Sequence, residues 1–180
     1  MAMESLRQVL RERGSWSAYL LTFDSSEALD AFLVIEDDLD PPDYWRLLGD
    51  AWNAAEAVAA NEETWRRLFS SDRPNREMLM TQAERPLFEA LPDEVTIYRG
   101  HSHDGGARGL AWTLDRDSAV KFAHQFATST DMGHPPGDPR LATATVPRAA
   151  ILALFEARQA HRPGGVVVLD LPAEVDVESL

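Results

Sequence analysis

The hydrophobic repeat of this chain changes period once, at Pro92. Upstream, Met3, Leu6, Val9 and Leu10, then Trp45, Leu48, Trp52, Ala55 and Ala59, then Trp65, Leu68 and Phe69 recur three or four positions apart. Downstream, Val95, Ile97 and Arg99 alternate with Thr96 and Tyr98. A helix returns to one face every 3.6 residues and a strand every two, so helices precede and strands follow. Segregation of that kind makes an α+β protein, with a helical subdomain over residues 1–92 and a β-core over residues 93–180.

Within the first part, residues 2–13 read as an amphipathic helix stopped by Gly14, and residues 17–23 as a short strand. Asp40 and Pro41 supply an N-cap and a first-turn proline to a helix ending near Asn61, and Asn75 can cap another through Met78, Leu79, Gln82 and Ala83, with Pro86 near its end or on a kink. In the second part, residues 95–99, 110–114, 141–146 and 166–171 read as strands. Asp115 or Asp117 caps a helix through Ala119, Phe122, Ala123 and Phe126. Residues 130–139 read as a loop and residues 148–155 as a turn or short helix.

Thirty acidic residues against seventeen Lys and Arg give a formal charge of −13, which repels phosphate backbones and argues against ordinary nucleic-acid binding. The absence of cysteine excludes a disulfide framework, a thiolate zinc site and a thiol nucleophile together. The longest apolar run, residues 149–155, is too short to cross a bilayer, and the first fourteen residues are too charged for a signal peptide, so the expectation is a soluble cytoplasmic protein without a membrane partner. Residues 24–50 hold nine acids with Arg46 as their one base, which reads either as a solvated face or acidic loop or as a patch for a basic partner.

The most specific local pattern is Tyr98-Arg99-Gly100, a glycine-rich stretch over 104–109, Ala111-Trp112-Thr113-Leu114-Asp115, and then Ala119-Val120-Lys121-Phe122-Ala123. An arginine fixed at a strand end offers a planar fork of donors to oxyanions, or else pairs with an acidic neighbour. Gly100 would let a ligand pass close to the backbone, or simply serves a turn. Trp112, Phe122 and Phe126 read as core, with Phe122 the better placed of the two phenylalanines to wall a pocket. His101 and His103 could share one side of a strand, yet no third metal ligand is suitably spaced; His101 reads as lining a cleft or its rim. Phosphate-loop, nucleophile-elbow and zincin motifs are all absent.

These three motifs, in this order, resemble the ADP-ribosyltransferase superfamily, in particular the Arg–Ser–Glu class in its bacterial and phage-encoded forms. The resemblance covers roughly residues 93–171. It implies a small split β-sheet core preceded by a helical subdomain, NAD as substrate, and a protein or other macromolecular acceptor, as in an effector. It further implies that Arg99 holds the phosphates beside Tyr98, Gly100 and His101, that Thr113 orients the nicotinamide ribose, and that Phe122 walls the pocket. Relatives of this type carry Glu-x-Glu just before a Val-rich strand, where the glutamate stabilises the oxocarbenium formed when nicotinamide leaves. Here that stretch is Arg158-Gln159-Ala160-His161-Arg162-Pro163-Gly164-Gly165. The nearest carboxylates are Glu156 and Glu174, the two catalytic candidates; His161 could take the role instead, or transfer could have been lost. The rival readings are a non-catalytic acidic binding or inhibitor protein, including a DNA mimic, and an NAD glycohydrolase.

Overall fold

The computed structural model describes residues 2–55, 58–128, 137–156 and 164–180. Most of the expected 130–139 loop, and His161, lie outside them. Among the described residues the chain is α+β, with seven helices and two small antiparallel sheets of three strands. None of these helices is long and apolar enough to cross a membrane. The chain divides into two compact units, residues 1–58 with 72–81, and residues 59–71 with 82–180.

The first unit contains α1 (Ala2–Glu12), α2 (Trp16–Leu20), α3 (Ala28–Ile35) and α4 (Pro41–Ala54). The α4 start follows the sequence rule: Asp40 Oδ1 accepts from the Asp43 N–H at 2.9 Å, and Pro41 occupies the first turn. Its buried face carries Trp45, Leu48 and Trp52. The Trp45 indole N–H donates to the carbonyls of Arg73 (3.1 Å) and Pro74 (3.0 Å), which ties residues 72–81 to α4.

Several sequence expectations change here. Residues 17–23 are not a strand; α2 occupies most of them, because a short apolar run satisfies either period. The acidic stretch is not a loop throughout, since α3 buries Ala28, Leu29, Ala31, Phe32 and Ile35 inside it. Helix α4 ends at Ala54, where Ala55 turns extended. Asn75 does not cap a full helix. It adopts a left-handed conformation (φ 66°) before a single 3-10 turn, Arg76–Leu79.

The second unit holds α5 (Glu62–Phe69), α6 (Glu84–Glu89), β1 (Glu94–His101), β2 (Ala111–Trp112), α7 (Arg116–Thr128), β3 (Arg140–Pro147), β4 (Ile151–Phe155), β5 (Gly165–Val168) and β6 (Asp176–Ser179). Residues 151–155, expected as turn or short helix, form β4 instead. Strand β1 pairs with β3 along its whole length, from Glu94↔Pro147 to His101↔Arg140, and β6 adds beyond β3. The other sheet has the order β2-β5-β4.

One bridge joins the sheets. Tyr98 and Thr113 exchange both backbone hydrogen bonds at 2.8 Å, which gives the lateral order β4-β5-β2-β1-β3-β6. One step along an antiparallel ladder, Gly100 would face Ala111. The Ala111 carbonyl is instead taken by Arg99 Nη1 at 2.6 Å, so the β1–β2 ladder is not extended past the bridge.

Candidate functional site

A cavity of about 310 Å³ lies on the β2 side of that bridge, walled by residues that include Thr113, Asp115, Ser118, Phe155, Glu156 and Gly165. Register explains the grouping. Phe155 faces Gly165, and Trp112 faces Val166, so Thr113 falls in the same cross-strand row as the last residue of β4 and the first of β5.

Thr113 is buried; its Oγ1 accepts from the Asp115 N–H at 3.1 Å and lies 3.5 Å from the Gly164 carbonyl. Asp115 then caps α7. Its Oδ2 accepts from the Ser118 N–H (3.1 Å) and the Ser118 hydroxyl (2.5 Å), and its Oδ1 from the Asp117 N–H (3.3 Å). The Ser118 hydroxyl bond is the chief reason that the Asp115 carboxyl sits below its ordinary value, which keeps it ionised beside the cavity. Glu156 is exposed at the end of β4, and its backbone N–H donates to Glu84 Oε1 at 3.0 Å. Glu84 itself is only 1% exposed. The chemistry of this wall is that of acceptors, two carboxylates and two hydroxyls, suited to a ligand rich in hydroxyl donors or carrying positive charge.

The remaining sequence candidates are distributed differently. Arg99 sits on β1 next to the bridge, but its Nε donates to the Gly106 carbonyl (2.7 Å) and its Nη1 to that of Ala111, with the guanidinium laid against Gly109. Burial pulls its pKa down and the Glu62 carboxylate opposes that pull; an arginine stays charged regardless. Because side chains alternate along a strand, Arg99 faces away from the side shared by Tyr98 and Thr113. Tyr98 is half-buried and contributes the backbone half of the bridge.

Gly100 makes no opening for a ligand. A Cβ there would collide with the Ala119 carbonyl and the Ala123 N–H, so the glycine lets the α7 backbone lie on β1. His101 is buried, with Nδ1 3.1 Å from the His103 carbonyl and Nε2 without a partner among the described residues. Desolvation lowers its pKa; the His103 carbonyl works against that, while Arg99, His103 and Arg140 add to it. Phe122 is half-exposed and stacks on Phe126 at 5.9 Å, so neither is a fully buried core residue.

The two candidate glutamates are separated. Glu174 is exposed two residues before β6, and β6 and β4 end the lateral strand order on opposite sides. The residues that wall the cavity include Glu156 and do not include Glu174. No cluster of three or more His, Asp or Glu able to hold a metal occurs among the described residues.

Two features escaped the sequence. Asp115 was legible as a cap but not as a cavity wall, and nothing in local spacing links Glu84 to Glu156. Comparison with family models, curated proteins and solved structures found no match to this chain.

Proposed function

We propose that this protein is ADP-ribosyltransferase-like, taking the nicotinamide-ribose end of NAD into the cavity between Thr113 and Glu156 and passing ADP-ribose to a macromolecular acceptor. The observation that carries the reading is that Thr113, from the second motif, and Glu156, one of the two carboxylates nearest the place where Glu-x-Glu is missing, wall one cavity. Two sheets joined at a single bridge also agree with the split core that the motif resemblance implies. In this reading the Thr113 hydroxyl and the Asp115 carboxylate accept from ribose hydroxyls. The Glu156 carboxylate stabilises the oxocarbenium as the bond to nicotinamide lengthens, and an acceptor nucleophile then takes the anomeric carbon.

The test is NAD titration with nicotinamide release as the readout. Glu156→Gln keeps the size and removes the charge, and should lower the rate about a hundredfold; Glu174→Gln should leave it near that of the unaltered chain. Cleavage that survives Glu156→Gln would overturn the assignment.

A second reading has its own support. Arg99, the expected phosphate holder, spends two donor nitrogens on backbone carbonyls, which weakens the case for a nucleotide ligand and favours a non-catalytic protein that engages a basic partner. A basic partner bound with no NAD affinity would put that reading ahead.

A further inference from the structure

The carboxylate of Glu84 is buried in the first turn of α6, and one of its oxygens accepts from the Glu156 N–H. That N–H has no acceptor to expect from its own sheet. The β4–β5 ladder ends at Phe155↔Gly165, and in the lateral order β4 is the edge strand. A backbone donor just past the end of an edge strand ordinarily turns to water, whereas this one is met by a carboxyl oxygen that has itself been taken out of water. Burying a carboxylate is costly unless hydrogen bonds replace its hydration, so the chain retains one here against the usual preference for an apolar residue.

We infer that Glu84 is a positioning residue: by holding the Glu156 backbone in continuation of β4, it fixes the Glu156 carboxylate at the wall of the cavity shared with Thr113. The inference rests on the reading of that cavity as the NAD site only for its catalytic consequence; the positioning itself stands on the Glu84–Glu156 bond. A residue that must present its carboxylate to a transient cation gains from a fixed backbone, because a displacement of about 1 Å can cost a hundredfold in rate. The Coulombic effect of Glu84 on the same cation is the alternative role, and it is separable by experiment. An effect carried through Glu156 disappears once the Glu156 charge is gone, whereas a direct field would persist.

The experiment compares Glu84→Gln and Glu84→Leu by NMR-detected amide exchange at Glu156 and by the kinetics of nicotinamide release. Gln keeps an acceptor oxygen and loses the charge; Leu removes the acceptor. The expected exchange rate at Glu156 rises a few-fold in Glu84→Gln and at least tenfold in Glu84→Leu, with the amides of residues 151–155 little changed. The kinetic expectation is a loss in kcat with KM nearly constant, partly restored in the Gln variant. Combined with Glu156→Gln, Glu84→Leu should add no further loss, since both act through one carboxylate. If Glu84→Leu does not fold, the faster Glu156 exchange in Glu84→Gln decides the matter alone. Unchanged Glu156 exchange in the variants, or fully additive losses in the double variant, would overturn the positioning role. If the unaltered chain releases no nicotinamide and binds no NAD, the reading of the cavity falls, and the exchange measurement still decides whether Glu84 holds Glu156.

Discussion

Gly100 shows how one atom separates two roles that a sequence cannot distinguish. After a strand-end arginine, a glycine is equally suited to ligand approach or to packing; the structure puts the α7 backbone where its Cβ would be. Gly100→Ala should therefore destabilise the fold by about 2 kcal/mol through overpacking. That corresponds to a fall in Tm of very roughly 4–8 °C for a chain of this size. Any NAD affinity of the folded fraction should be kept, and a lost affinity at unchanged Tm would return Gly100 to the ligand. His101 makes a second residue-scale case. Its folded pKa lies below the ordinary 6.5, so the unfolded chain binds the proton more readily. Its contribution is complete above pH 6.5 and is lost as pH falls from there through the lowered folded value. Urea titrations at pH 7 and pH 5 should show a smaller stability loss on acidification for His101→Asn than for the unaltered chain. Equal losses would contradict the buried neutral ring.

Among the elements, those legible from sequence carried two concordant signals. Helix α4 has a cap, a first-turn proline and a tryptophan stripe; β1 alternates over residues 95–99 and β3 over residues 141–146, and α7 follows an aspartate with alanines at helical spacing. The unreadable ones had only one signal or a misleading one. Residues 151–155, Ile-Leu-Ala-Leu-Phe, are apolar throughout, so no period exists to read, and only pairing with β5 makes them a strand. Strand β6, wholly exposed and acidic, has no buried face to betray it and exists by addition to β3. For α7 the cap is also a wall of the cavity. Asp115→Ala should lower Tm at neutral pH by loss of the bonds to Asp117 and Ser118. Because those bonds hold the carboxyl below its ordinary value, the stability that they give is present above pH 3.8 and fades as pH falls through the folded value. The Tm difference between the two proteins should therefore shrink on strong acidification; a difference independent of pH would mean that Asp115 matters by packing rather than by charge.

At the scale of the whole molecule, the change of period at Pro92 marks where secondary structure changes, and the contacts draw a different line. Helices α5 and α6 belong to the unit that contains both sheets. Arg66 Nη1 of α5 donates to the Leu169 carbonyl just after β5 at 2.6 Å, Glu62 of the same helix acts on Arg99, and Glu84 of α6 meets the N–H after β4. The sequence could not show this, because each tie spans dozens of residues and none has a local pattern. A fragment of residues 93–180 would keep every strand and lose all three ties, leaving the β4 edge and the Leu169 carbonyl without their partners. It should be poorly folded, with broad amide resonances and no cooperative urea transition. A fragment of residues 59–180 keeps both helices and should unfold cooperatively. A cooperative 93–180 fragment would mean that α5 and α6 decorate the sheets rather than complete them. It would also weaken the positioning of Glu156 by Glu84, because the end of β4 would then hold its place without that carboxylate.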